Sequence, residues 1–176
     1  MTVSDQATVR GFRGAIPEAH ETAYVAEGAR IIGDVAIAEE ASVWCNAVLR
    51  GDVSSIRIGR GSNLQDNVTV HVDAQHPTVL GDFVSVGHGA VVHGCEIGDG
   101  SLIGMGSVVL SGARIGASCL VAGGAVVLEG TEIPPRSLVA GVPAKVRRAL
   151  TDEEVARIRD NAVRYVGYAK EHAAEM

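Results

Sequence analysis

The sequence predicts an all-β solenoid: a parallel β-helix of hexapeptide repeats closed by a C-terminal α-helix. Two periodic features and one compositional feature predict it. Counting from Ile97, aliphatic residues recur at Ile97, Ile103, Val109, Ile115, Val121, Val127, Ile133 and Val139 with no slip. Two residues before each inward position stands a small side chain: Ala90, Cys95, Ser101, Ser107, Ala113, Cys119, Ala125, Thr131 and Ser137. Hydrophobic residues make up 47% of the chain but aromatics only 3%, and there are 22 glycines, so the core must be aliphatic and the turns tight. A period of six fits neither an amphipathic helix nor a simple alternating strand. It fits a short strand plus a corner, with the small residue allowing the corner and the aliphatic one filling the interior. Stacked coils of this kind share hydrogen bonds along the axis at a spacing of about 4.8 Å.

In chain order, residues 1–25 carry Gly11, Gly14 and Pro17 and read as an irregular lead-in with one short strand; His20 lies there as an isolated surface residue. Residues 26–146 form the β-helix. Backwards from Ile97 the count continues through Val92, Val86 and Leu80, with one step of five. Its earlier members are Val70, Leu64, Ile58, Arg50, Trp44, Ala38 and Ile32. The steps from 50 to 58 and from 70 to 80 are too long and predict bulging loops. Gly141-Val142-Pro143-Ala144-Lys145 ends the solenoid, and residues 147–176 form the helical cap. Thr151 with Glu154 makes a capping box. Val155, Ile158, Ala162, Tyr165, Val166 and Ala169 then follow at helical spacing, for a helix that covers a solenoid face or edge. Arg147, Arg148, Arg157, Arg159 and Arg164 alternate with acids and read as a solvated face.

Bulk properties narrow the function. At 176 residues the chain suits one domain. The net charge of −6, with no basic cluster in the first 140 residues, argues against nucleic acid as a partner. Cys45, Cys95 and Cys119 are odd in number and lack CxxC spacing, so no disulfide framework is expected and a cytoplasmic location fits. The N-terminus shows no signal-peptide pattern. No run of about 18 apolar residues is present, so no membrane helix is expected.

Three histidines stand in otherwise aliphatic sequence: His71 in Val70-His71-Val72-Asp73, then His88 and His93 between Val86 and Gly94. Neutral imidazole is the commonest ligand for zinc, and three such ligands with one open position make a catalytic site. Taken singly, each is as well explained as a hydrogen-bonded histidine on a β-helix.

Beyond the repeat, the chain resembles the gamma-class carbonic anhydrases within the left-handed β-helix hexapeptide family. The resemblance rests on Leu49-Arg50-Gly51-Asp52, Ile58-Gly59, Asn63-Leu64-Gln65-Asp66, His71-Val72-Asp73, Gly87-His88, His93-Gly94-Cys95 and Ile103-Gly104-Met105-Gly106. It spans roughly residues 12 to 170. It implies left-handed winding, three repeats per coil and a homotrimer. With three repeats per coil, His71 and His93 stack one coil apart at one edge. His88 lies across a corner on another face and is supplied to the site by a neighbouring subunit. Arg50 and Asp52 then precede His71 by one coil, and Gln65 and Asp66 precede His88. Arg50, Asp52 and Asp66 are expected to form intersubunit ion pairs. Gln65 and Asn63 are the catalytic candidates, Gln65 to orient a metal-bound hydroxide.

The implied activity is hydration of carbon dioxide to bicarbonate. The metal is zinc by default, with iron(II) or cobalt(II) also suited to three imidazoles. The sequence departs from the best-known members of that family at the proton shuttle. The loop is only Asp73-Ala74-Gln75-His76-Pro77, position 53 is Val53 rather than an acid, and His76 reads as a loop surface histidine sooner than as a proton relay. Three alternatives stay open: metal-dependent thioester or other hydrolysis, acyl transfer from coenzyme A with one histidine as base, and a non-catalytic scaffold.

Overall fold

The structure, a computed structural model, describes residues 2–175. Two parallel sheets wind into the coils of a β-helix. The first is a single face on which Thr2–Val3, Tyr24–Val25, Ser42–Val43, Asn63–Leu64, Ser85–Val86, Leu102–Ile103, Leu120–Val121 and Ser137–Gly141 stack in that order. The second sheet turns a corner inside the long strands Arg30–Ile37 and Val48–Ile58, so it supplies the other two faces. Gly33 makes that corner possible. Its φ is +79°, and a Cβ there would lie 2.2 Å from the carbonyl oxygen of Gly51.

The six-residue register from Leu80 to Val139 points inward as expected, and every one of its aliphatic members is buried. Upstream of Ile58 the register is one residue out. The ladder pairs Leu49 with Val70 and Arg50 with His71, so Leu49, Val43, Ile37 and Ile31 fill the interior. Arg50, Trp44, Ala38 and Ile32 occupy the next positions along. The cause is the extra chain between Leu49 and Ile58, which absorbs the slip that a count running backwards assigns to the wrong residue. Burial of a Val, Leu or Ile side chain contributes roughly 1.5–3 kcal/mol, and the interior is lined by them along its length.

The lead-in also differs from expectation. Thr2–Val3, Thr8–Arg10 and Glu18–Ala19 each pair in parallel with the following coil, which begins at Tyr24–Val25, so residues 2–23 are themselves a coil. Its strands are unevenly spaced, with Gly11, Gly14 and Pro17 between them, and so show no period. At the other end, Ser137–Gly141 folds back on Ala144–Ala149 as an antiparallel hairpin, which closes the parallel stack. The three cysteines are free thiols.

The helix Asp152–Ala174 runs back along the first face. Ile158, Ala162 and Ala169 are its buried residues. Trp44, displaced outward by the register, packs between the helix and the face, with Tyr165 at 5.5 Å and Tyr24 at 5.4 Å between ring centroids. No helix among the described residues is long and apolar enough to cross a membrane. Thr151 caps the helix, its hydroxyl accepting from the Glu154 amide while the Glu154 carboxylate accepts from the Thr151 amide. Arg148 adds a two-pronged pair to Glu154 at 2.7 and 2.8 Å, and holds its carboxyl down at about 2. Because the folded pKa is depressed, the stabilisation is whole above the ordinary glutamate value of 4.5 and is lost as pH falls towards 2. Thr151→Ala is expected to cost about 1 kcal/mol in chemical denaturation. Glu154→Gln should remove the part of the acid dependence that lies between those two values.

Candidate metal centre

The strand Val91–His93 lies on Thr69–His71, and the parallel ladder sets His93 directly against His71. The ring centroids are 5.0 Å apart, and His71 Nδ1 faces His93 Nε2 at 3.0 Å. One coil earlier, Arg50 is in register with His71. Asp52 lies 3.1 Å from His71 Nε2 and is also paired with Arg50. Burial works to raise the Asp52 carboxyl, but hydrogen bonds from His71 and Arg50 outweigh it and hold it below its ordinary value. Burial, and then the neighbouring His71, push the His93 imidazole down, which favours the neutral form that ligates metals.

His88 stands at a different corner. There the chain turns through left-handed residues stacked coil upon coil: Asn46, Asn67, Gly89, Gly106 and Gly124. Asparagine and glycine are the residues that tolerate this conformation at least cost. His88 precedes Gly89, and its Nδ1 is 2.7 Å from an Asp66 oxygen, one coil earlier. Nε2 of His88 has no partner among the described residues. The strand Val91–His93 separates this corner from the other edge, a span of about 10 Å at roughly 3.3 Å per residue.

The predicted residues therefore sort onto two edges of one face. Arg50, Asp52, His71 and His93 share one; Asn63, Gln65, Asp66 and His88 gather at the other. Asn63 and Gln65 are buried. Gln65 Nε2 donates to Asn63 Oδ1 at 3.1 Å, Asn63 Nδ2 donates to Ser85 Oγ at 2.9 Å, and Asn161 Nδ2 on the helix donates to the same hydroxyl at 3.1 Å. Ser85 was not apparent as a site residue in the sequence, although it lies one coil after Asn63. Tyr165 packs on Trp44 instead. Within this chain Arg50 pairs with Asp52, and Asp66 with His88. His20 stays apart, hydrogen bonded to Thr22.

The loop after His71 is organised by Asp73. Its carboxylate accepts from the amides of Gln75 and His76 and lies 2.9 Å from His76 Nδ1. A hydrogen bond from Ser111, followed by that from the Gln75 amide, holds Asp73 far below the ordinary carboxylate range. Ser111 Oγ in turn lies 2.9 Å from His93 Nδ1. Asp73 and Ser111 were missed as site residues.

The facing nitrogens of His71 and His93 fit a divalent metal ion. Two nitrogens about 2.0–2.1 Å from a tetrahedral zinc ion are themselves about 3.3 Å apart, close to the observed separation of His71 Nδ1 and His93 Nε2. Each histidine uses its other nitrogen on an oxygen partner (Asp52, Ser111 or Asp66), as metal-bound histidines commonly do. Among the described residues of this chain no three His, Cys, Asp or Glu side chains converge as metal ligands.

A β-helix of six-residue repeats with paired histidines at its edge defines a hexapeptide-repeat protein. The model for the bacterial transferase hexapeptide (six repeats) matches residues 77–111 and 94–129. A probable carbonic anhydrase of Methanocaldococcus jannaschii is 57% identical over 142 residues, covering 81% of this chain and 89% of the relative. Gamma carbonic anhydrase 1, mitochondrial, of Arabidopsis thaliana is 44% identical over 90% of this chain, which spans 60% of that longer protein. A crystal structure from Bacillus cereus, described as a putative acetyltransferase, superposes with a TM-score of 0.96 at 38% identity, covering 98% of this chain and all of that one. The chain belongs to the gamma carbonic anhydrase-like family of left-handed β-helix proteins.

The buried amide network has a direct test. Asn63→Ala leaves Gln65 Nε2 and Ser85 Oγ short of partners and is expected to destabilise the protein by about 1–3 kcal/mol in urea unfolding. A loss of less than about 0.5 kcal/mol would mean the network is not a structural unit.

Proposed function

We propose that the protein is a metal-dependent carbonic anhydrase that works as a homotrimer, each metal shared between two subunits. The observation that carries this reading is the pair of facing nitrogens on His71 and His93, set beside a His88 that is oriented by Asp66 but stranded at the opposite edge. A closed three-fold ring brings those two edges together from neighbouring copies. His71 and His93 of one subunit and His88 of the partner subunit would hold the ion. When bound, zinc lowers the pKa of a water so that a nucleophile for carbon dioxide exists near neutral pH. Iron(II) and cobalt(II) suit the same three imidazoles.

The chain's own residues do the rest. Asp52 and Asp66 fix the rings of His71 and His88, and Arg50 balances the half-buried charge of Asp52. In the trimer Arg50 also comes within reach of Asp66 of the partner subunit. Gln65, held in one orientation by Asn63, orients the nucleophile and the small-molecule substrate at the edge that carries His88. The name of the Methanocaldococcus jannaschii relative supports the reaction. Acyl transfer needs one histidine as base and gives no reason for His71 to sit on His93. A cytoplasmic location belongs to the same reading, supported by the three free thiols. So does the absence of nucleic acid and membrane among the partners, supported by the acidic net charge.

Mixed trimers test the shared site. His71→Ala and His88→Ala should each abolish carbon dioxide hydration in stopped flow. Refolded together in equal amounts, they rebuild sites whose histidines come from different variants, and about a quarter of the wild-type activity should return. No recovery from a folded mixed trimer would contradict a site shared in this way.

A further inference from the structure

We propose that Asn161 on the terminal helix and Ser85 beneath it are positioning residues: together they make Gln65 present its carbonyl oxygen, and not its amide, at the edge that carries His88. The inference deepens the carbonic anhydrase reading and rests on it.

A polar stripe lies under the helix. Asn63 and Ser85 stand in register on neighbouring coils of the first face, and the helix Asp152–Ala174 packs over them. Asn63 is 0% and Ser85 1% exposed, so each needs a hydrogen-bond partner within the protein. Few are at hand. Along the stripe Ser85 is followed by Leu102, whose side chain has none to offer. On the other side of Asn63, the Ser42 hydroxyl already accepts from Trp44 Nε1. The partners left are Gln65, two residues on, and Asn161, which sits between the buried Ile158 and Ala162 that hold the helix on the face.

The donors run towards Ser85 from both sides. Asn161 Oδ1 faces the Arg164 guanidinium at 3.4 Å, and a guanidinium can only donate. Asn161 therefore turns its Nδ2 to Ser85 Oγ, at 3.1 Å. Asn63 Nδ2 reaches the same oxygen at 2.9 Å, which leaves Asn63 Oδ1 to accept from Gln65 Nε2 at 3.1 Å. A reversed Gln65 would set its oxygen against Asn63 Oδ1. Gln65 is only 6% exposed, yet its Oε1 makes no hydrogen bond among the described residues. No sealed side-chain oxygen or nitrogen among those residues lacks a partner, so Oε1 must open to the outside. Gln65 directly precedes Asp66, whose carboxylate lies 2.7 Å from His88 Nδ1. At that edge a carbonyl oxygen can accept a hydrogen from the nucleophile or from the hydroxyl of bicarbonate, which an amide nitrogen cannot do.

Two readouts test this: stopped-flow hydration of carbon dioxide by the zinc-loaded protein, and hydrogen exchange at the Gln65 side-chain amide in the ¹⁵N-labelled protein. Zinc content should stay at the wild-type level in every variant, because none of these residues is a ligand. Asn161→Ala and Ser85→Ala should each lower kcat by roughly 10–100-fold and speed exchange at Gln65 Nε2. Ser85→Thr keeps the hydroxyl and should restore both. In a Gln65→Ala background, Asn161→Ala should change kcat by less than about twofold, since the group it positions is gone. A folded, zinc-loaded Asn161→Ala with wild-type kcat or wild-type exchange at Gln65 overturns the proposal. So does an equal loss of kcat from Asn161→Ala with and without Gln65. A wild type that binds zinc but hydrates no carbon dioxide sinks the carbonic anhydrase reading alone. Exchange at Gln65 that then quickens in Asn161→Ala still upholds the brace, and exchange that stays slow sinks it too.

Discussion

Parallel pairing between successive coils is the constraint on which everything else rests. Each strand residue lies against the residue one coil away, so a side chain's partners are set by coil length rather than by nearness in sequence. His71 meets His93 because 22 residues separate them, and Asn63 meets Ser85 across the same interval. The later interval on this face is 17 residues, which sets Leu110 in register with His93, and Ser111 reaches His93 Nδ1 from the next position. The difference is taken up by the loop after His71, whose extra residues swing outward and return with Asp73 and His76 beside the stack. An insertion or deletion within the coil between His71 and His93 would unstack the pair while leaving the aliphatic core nearly intact.

The same constraint explains why His88 stands apart from His71 and His93. A β-helix is stiff, and the corner that holds His88 and the edge that holds His71 and His93 lie at opposite ends of one strand. No side-chain rotation closes a gap of about 10 Å between them. Each half is nonetheless finished on its own terms, with Asp66 orienting His88 and with Asp52 and Ser111 bracing the other two. In the proposed trimer, such order in the separate halves would leave little side-chain freedom to lose on metal binding.

Much of this was legible in the sequence. The six-residue period, the small residue in phase with it, and the capping box at Thr151 and Glu154 each rest on a local pattern, and the structure follows them. The count failed where the chain bulges, between Leu49 and Ile58, because an extra loop shifts the phase without disturbing the aliphatic composition. It failed again over residues 2–25, where the strands are unevenly spaced and Gly11, Gly14 and Pro17 lie between them. The stacking of His71 on His93 and the separation of His88 followed once three repeats per coil were assumed. Ser85, Asp73 and Ser111 were passed over for a different reason. Serine and aspartate are ordinary at β-helix corners, and what marks these three is the hydrogen bonding between coils. Extending the coil arithmetic one step past Asn63 would have found Ser85, whereas the same step past His93 leads to Leu110, one residue short of Ser111.

The central claim is that the metal belongs to two subunits at once. Anomalous diffraction at the zinc edge, from crystals of the zinc-loaded protein, tests it most directly. The account predicts one peak at each subunit interface, bonded to His71 and His93 of one chain and to His88 of its neighbour. A zinc ion held within a single chain, or at residues other than these histidines, would contradict it.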